Sequence, residues 1–390
     1  MFRVRLLPWE YGIRNLFRRS LRTALTFAGL TVVVYLVFVV VGFIRGLERT
    51  LEVSGDPQVA IVFSLGMGEN LEYSSIPMRT TELIASSVPG LQTRYGKTYI
   101  SPELYLGTLI EADGLDEPGF GLVRGVESDQ VVLVRSKVEL ESGTWPKVGE
   151  VAVGRMASTK LGLDQHPLQP GDTIDFEDRT WTVSGIFSAG DGAFESEIWC
   201  RLDELQQAMK RQDLSIVAVT FAAETGYEDL DLFCKERLDL ELQSIREPDY
   251  YATLQKDYAP IRWLAWLVVC LVSGAGVFAG LNTMYGAVVG RISEFAMLQT
   301  LGFTRRAILL SLVQEGMLLS AAAALAATGL SFLTLNDANV KFTMGAFSLN
   351  VDGMTVLIGA GVGLSLGFLG AIPPAVRALR MSIVDGLRTV

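Results

Sequence analysis

Glu315 is the one charged side chain in residues 307–336, a run otherwise built from apolar and small residues. A carboxylate at the centre of a membrane-crossing helix costs about 2.5–3.5 kcal/mol on insertion scales, so it needs a partner or water. Two kinds of chemistry would use it. One is a proton or substrate site; the other is a structural carboxylate hydrogen-bonded inside a helix bundle or near the inner headgroups. No second charge accompanies it in the run, which favours the structural role. Just upstream, residues 291–306 read RISEFAMLQTLGFTRR. Phe295, Leu298 and Leu301 recur at helical spacing and Gly302 can stop the helix. The segment is expected to be a short helix; docking on a partner and an ordinary turn between longer helices both stay open.

The usual signs of catalysis are missing. His166 is the single histidine and stands beside Pro167 in a loop, a setting that fits plain surface better than a ligand or base. Three cysteines make no disulfide framework. Cys270 lies in an apolar run and is expected to pack there; Cys200 and Cys234 are expected as unpaired buried thiols. No cluster has metal-ligand spacing, and no serine or cysteine has a histidine partner by motif. The acidic residues single out no carboxylate pair. An enzyme is not expected, and no catalytic, cofactor-binding or metal residue is assigned.

The elements that carry these residues are set by charge and hydropathy. The chain has 390 residues, 49% of them hydrophobic, and a mean hydropathy of +0.34. Residues 46–262 hold 19 Lys and Arg against 37 Asp and Glu, while the remainder holds 14 against 6. Such asymmetry implies two environments, and no basic, aromatic-interleaved surface suggests nucleic acid. A helix crosses the roughly 30 Å hydrocarbon core in about 20 residues. Four spans are therefore predicted, at 23–45, 263–290, 307–335 and 353–376. Arg3, Arg5, Arg14, Arg18, Arg19 and Arg22 precede the first. Arg291, Arg305 and Arg306 lie between the second and third, and Arg377, Arg380 and Arg388 follow the fourth. With four spans these share one side, cytoplasmic by the positive-inside rule, opposed by Arg45, Arg49, Arg262 and Lys341. Both termini are then cytoplasmic, and the loop 336–352 lies outside with the 46–262 domain.

Residues 1–22 place Trp9, Ile13, Leu16, Phe17 and Leu21 at helical spacing beside a stripe of Arg14, Arg18 and Arg22, an amphipathic interfacial helix. A moving elbow and a passive anchor fit it equally. Gly359, Gly363 and Gly367 line one face of the fourth span, which suits close packing in the bundle or at a dimer interface. The domain is long enough for its own core and reads as α+β. Strands are predicted at 58–65, 98–110, 121–126, 173–176, 180–187 and 215–221, with a turn at Glu177-Asp178. Helices are predicted at 80–87 and 229–240, and a strand leading into a helix at 151–161.

Four stretches together resemble the MacB/FtsX superfamily of ABC permeases (the type VII group, including lipoprotein-releasing permeases). They are IRNLFRRSLRTALTFAGL (13–30), LNTMYGAVVGRISEFAMLQTLGFTRRAI (281–308), PPAVRALRMSIVDGLR (373–388) and, in the domain, SGTWPKVGEVAVG (142–154) with LGL (161–163) and PGDTIDFEDRTWTVSGIF (170–187). Gly386 stands where the family usually has alanine. Glu315 falls where members often carry a glutamate. The resemblance implies a MacB-like domain of two subdomains, 56–141 plus 214–256 and an inserted 142–213. It implies a dimer with a second permease copy or paralogue in the bacterial cytoplasmic (inner) membrane. It also implies partner ABC ATPase subunits that bind ATP and Mg, and further a membrane-fusion or periplasmic protein. The loop 291–306 would couple to the ATPase through Arg291, Glu294, Leu298, Leu301, Gly302 and Arg305, and the tail 377–390 would be cytoplasmic. The chain has no G-x-x-x-x-G-K-[ST] phosphate loop, so the ATPase is expected on a separate chain, unlike MacB itself. The implied function is a permease in which mechanical motion of the spans drives the outer domains to export or extract a lipid, lipoprotein or amphipathic compound. A regulatory transducer acting on an outer partner such as a cell-wall hydrolase is the alternative.

Overall fold

The computed structural model describes residues 14, 16, 18, 20–67, 70–223, 226–335, 338–342, 345–349 and 351–380. Trp9, Ile13 and Phe17 of the entry helix, and residues 381–390 with Gly386 and Arg388, lie outside them. The chain divides into two compact units. One holds residues 1–45, 260–338 and 349–390, the other 46–259 and 339–348.

In the first unit, four helices are long and apolar enough to cross a membrane. Span 1 is Ser20–Ser54, span 2 Ala259–Val289, span 3 Arg305–Thr334 and span 4 Gly353–Arg380. The helices run past the predicted bounds at both ends of span 1, at the start of spans 2 and 3 and at the end of span 4, where flanking residues continue the helix outside hydrocarbon, while spans 2 and 3 end one residue early. Thr304 caps span 3, its hydroxyl accepting from the Ala307 N–H at 3.3 Å. Asp352 caps span 4, accepting from the Thr355 N–H at 2.8 Å and its hydroxyl at 2.6 Å, and so satisfies donors the first turn leaves open. The same carboxylate takes the Arg45 guanidinium, with Nε at 3.0 and 3.1 Å. Arg45, which opposes the one-sided distribution of cations, is thereby neutralised. Cys270 is a correction: it is exposed on span 2 rather than packed.

The second unit is built on a ten-stranded sheet. Its strands in chain order are β1 (Val59–Ser64), β2 (Ile100–Ala112), β3 (Gly119–Val126), β4 (Glu139–Gly143), β5 (Glu150–Gly154), β6 (Thr173–Phe176), β7 (Arg179–Ser188), β8 (Glu197–Arg201), β9 (Ile216–Thr220) and β10 (Leu242–Arg246). The order is β10-β1-β9-β2-β3-β8-β5-β7-β4, and β6 pairs both β7 and β2. Pairing therefore closes through β2, β3, β8, β5, β7 and β6 into a six-stranded barrel, and closure leaves those strands without open edges. Residues 142–213 supply β5 to β8 of this barrel and the remaining two strands come from 100–126. The barrel core is apolar: Ile174, Trp181, Val183 and Ile198 are buried, and Trp181 stacks on Phe176 with centroids 4.9 Å apart.

At the β6–β7 hairpin, Glu177 and Asp178 have φ of +51° and +54°, the pair of positive angles that a two-residue type I′ turn needs. Sequence patterning missed β8, β10, β4 and the helices Ser128–Val134, Leu202–Met209 and Glu247–Asp257. It also read 336–352 as a plain loop. Asn339–Phe342 and Gly345–Ser348 instead pair as a hairpin that packs in the second unit.

Candidate functional site

Two places concentrate chemistry, one in each unit. In the membrane unit, residues 292–300 form the expected short helix. Gly302 follows at φ +90°, its N–H donating to the Gln299 carbonyl at 3.1 Å while the Phe303 N–H donates to Leu298 at 3.1 Å. A left-handed residue here closes the helix end, and glycine adopts it without Cβ strain.

The six loop residues singled out from the sequence part into two groups. Arg291 is buried, with Nη1 donating to Glu315 at 3.1 Å and Nε to Glu294 at 3.3 Å. Its guanidinium lies 5.2 Å from the Phe295 ring centroid. Glu294 also accepts from Arg18 at 3.3 Å. Arg291 thus supplies the partner that Glu315 requires, from the neighbouring segment rather than from its own run. Leu298 is half-buried against the cluster of Phe295, Ile308 and Leu312. Facing away are Met297, Leu301 (72% exposed), Gly302, Arg305 and Arg306. Arg305 and Arg306 are too costly to sit in hydrocarbon, so the apolar Leu301 stands at an aqueous boundary.

The glycines of span 4 pack inside the chain. A Cβ at Gly359 would lie 2.5 Å from the Phe38 ring, at Gly363 3.0 Å from Ala324, and at Gly367 2.8 Å from the Gly316 carbonyl. Spans 1 and 3 approach this face because side chains are missing from it.

In the second unit a cavity of about 310 Å³ opens on one face of the sheet. Its walls come from the end of span 1 at Leu47–Leu51, the helix Glu247–Asp257, the 339–348 hairpin, and β1, β2, β3 and β8. Phe120, Tyr250, Tyr251, Tyr258, Phe342 and Phe347 line it. Tyr258 and Phe342 meet edge to face at 5.0 Å. Behind these rings lies a buried ion network. Arg124 donates to Glu197 at 2.6 and 2.5 Å and also to Glu103 and the Tyr105 hydroxyl. Arg135 pairs with Glu247 and with Glu103 at 3.3 Å. Burial alone would raise the Glu103 pKa, but Arg135 and Arg124 outweigh it and hold the carboxyl below its ordinary range. For Glu247 burial wins over Arg135, and its pKa is raised.

At the cavity wall the Lys160 ammonium donates to the Phe342 carbonyl at 2.7 Å and stands 5.4 Å from the Phe120 ring. Glu72 is half-buried; desolvation raises its pKa, with Lys160 pulling the other way. Sequence reading passed over Glu72, Lys160 and the network, since nothing local distinguishes them from other charged residues. His166 is exposed in its loop. Cys200 and Cys234 are buried and free, and burial pushes the Cys234 thiol up to about 12. No group of His, Cys, Asp and Glu suited to a metal occurs among the described residues.

Comparison with known proteins bears on both units. Residues 23–230, more than half of the chain, match the MacB-like periplasmic core domain, and residues 266–383 match the FtsX-like permease C-terminal family. Among solved structures, the periplasmic region of MacB from Actinobacillus actinomycetemcomitans is similar over 54% of this chain and 97% of its own, at 10% identity and a TM-score of 0.39. The extracellular domain of the noncanonic ABC-type transporter YknZ from Gram-positive bacteria is similar over 48% of this chain and 99% of its own, at 12% identity and a TM-score of 0.36. No curated protein matches the chain. Members of the matched families are membrane components that work with ABC ATPase partners. With four candidate membrane helices and an α/β domain between the first two, this chain belongs to the MacB/FtsX-type family of ABC transporter permeases.

Proposed function

We propose that the chain is the permease subunit of a bacterial inner-membrane ABC system that exports or extracts a lipid, lipoprotein or amphipathic compound. It works as a dimer with a second permease copy or paralogue, its termini and the 291–306 loop face the cytoplasm, and a separate ATPase supplies ATP and Mg chemistry. The observation that carries the reading is the loop surface. Met297 and Leu301 are exposed beside Arg305 and Arg306, while Arg291, Phe295 and Leu298 anchor the same short helix in the bundle. A rigidly held apolar spot with a basic rim suits a protein partner. Force applied there would pass through Arg291 and Glu315 into span 3. The spans offer no charged pathway beyond Glu315, so the substrate is handled at the outer domain instead of being carried through the bundle.

The test is co-expression with the ATP-binding-cassette subunits of the same genome and measurement of the ATPase that co-purifies with this chain. Met297→Asp with Leu301→Asp is expected to reduce the retained ATPase at least tenfold while the melting of the permease is unchanged. Undiminished retention would remove the coupling assignment. Stable capture of an extracytoplasmic protein with no movement of any substrate would favour the regulatory transducer.

A further inference from the structure

Glu72 is unusual among the acidic side chains of the domain. It lines the 310 Å³ cavity, is half-buried, and has no hydrogen bond or ion pair within 4 Å among the described residues. A carboxylate in that state is only partly compensated, because water is partly withdrawn and the Lys160 charge acts on it without a hydrogen bond. Its Oε2 lies against Gly107, where a Cβ would come within 3.0 Å of it and 2.9 Å of Phe120. The missing side chain leaves room for both groups at the wall.

The bonding around the cavity also sets Glu72 apart. Arg124, Arg135 and Lys160 stand against Glu72, Glu103, Glu197 and Glu247, each of which lines the cavity or is bonded to a residue that does. The three cations are already engaged: Arg124 and Arg135 with buried carboxylates, Lys160 with the Phe342 carbonyl. Glu72 and Lys160 act on each other through space, but no hydrogen bond or ion contact joins them, so the Glu72 oxygens stay open to a guest. Around it stand aromatic faces, which attract cations through their quadrupoles and accept carbon skeletons through burial. An anionic guest would meet the Glu72 carboxylate and find donors of Arg124, Arg135 and Lys160 bonded elsewhere. The size falls at the lower end of small-molecule pockets, which run from about 300 to 1,000 Å³.

We infer that this cavity binds a cationic amphipath, an apolar or aromatic body of small-drug size carrying one ammonium or other monocation that pairs with Glu72 among the tyrosine and phenylalanine rings. This deepens the transport reading and rests on it for its biological meaning. The binding itself is measured without an ATPase, so a failure here leaves the permease assignment standing.

Tetraphenylphosphonium and tetraphenylborate make the decisive pair, since they share four phenyl rings and differ in the sign of charge. Each is equilibrated with the full chain in phosphatidylcholine nanodiscs, and binding to empty nanodiscs is subtracted. The expected result is a saturable site for tetraphenylphosphonium and at least tenfold weaker binding of tetraphenylborate. Glu72→Gln is expected to weaken the cation at least fivefold, to leave the anion no weaker, and to keep the melting temperature. Phe120→Leu, which keeps the charge, is expected to weaken the cation at least threefold and serves if Glu72→Gln does not fold. Equal binding of the two ions, preference for the anion, or cation binding that survives both substitutions would overturn the inference, as would the absence of a saturable site.

Discussion

Two arginines and three carboxylates, all nearly inaccessible, hold the interior of the domain beside its cavity. Removing one member of such a set strands its partners, at about 3–5 kcal/mol where the stranded charge stays buried. Arg124→Met leaves Glu103 and Glu197 without their shared cation and is expected to cost an amount in that range. Glu247→Gln removes a carboxylate that burial already biases towards its protonated form, and about 1 kcal/mol is expected. Denaturant melts of the two variants should separate them clearly; equal losses would mean the network does not share charge as drawn. Asp352 gives a pH-dependent counterpart. Burial opposes its ionisation, but the bonds from Arg45 and Thr355 prevail and bring its pKa from 3.8 to about 2. A carboxyl depressed on folding contributes stability above its unfolded pKa and loses it as pH falls through the folded one. The contribution is therefore present at neutral pH and lost between about pH 4 and 2. Its size is reduced by solvent, because the side chain remains about one-third exposed. Asp352→Asn is expected to flatten that part of a melting-temperature profile; an unchanged slope would contradict the pairing.

At the scale of elements, the packing of span 4 depends on absent side chains. Gly316 and Gly367 approach reciprocally, a Cβ on the first lying 3.1 Å from the carbonyl of the second and one on the second 2.8 Å from the carbonyl of the first. Backbone cannot yield as a flexible side chain would, so Gly367→Ala should push spans 3 and 4 apart. A loss of about 1–3 kcal/mol is expected, the usual range for overpacking. Gly361 on the same helix faces open space, and Gly361→Ala is expected to leave stability unchanged or slightly raised. Thermal melts in detergent distinguish the two, and similar behaviour would show that the glycine face is not a packing face. The 292–300 helix works by the opposite device. One side is anchored by ionic and apolar contacts, and the other is left bare for a partner.

For the whole molecule, the consequence is a division of labour between units that differ in solvent. The four apolar helices supply the membrane component expected of the family, and the loop surface is where we propose that the ATPase applies force. The barrel and sheet supply a frame that holds the cavity, with no open edge among the barrel strands β2, β3, β5, β6, β7 and β8. Three segments that wall this cavity are near neighbours of spans in the chain. Leu47–Leu51 continue span 1, Tyr258 precedes span 2 directly, and the 339–348 hairpin joins spans 3 and 4. In the proposed function these three covalent connections are the route by which a change in the spans reaches the cavity. The ATPase retention test and the two-ion binding test address the two ends of this chain of effects separately.

The sequence by itself determined the four spans and most of the barrel strands. Hydrocarbon thickness and side-chain alternation are local constraints, legible wherever a run is long or strictly patterned. Even the Glu177-Asp178 turn was readable from two residues between alternating strands. Two of the elements that patterning missed share a cause. Strand Glu197–Arg201 begins and ends with charges, and the helix Glu247–Asp257 opens with acids, so both look exposed. Glu197 and Glu247 are nonetheless buried, because Arg124 and Arg135 pair with them from 73 and 112 residues away. Only the tertiary structure decided that Arg291 belongs to Glu315, that Glu72 is left without a partner, and that the hairpin between spans 3 and 4 walls the cavity. Pairing of charges across a fold depends on distance in space, and no local period in a sequence records it.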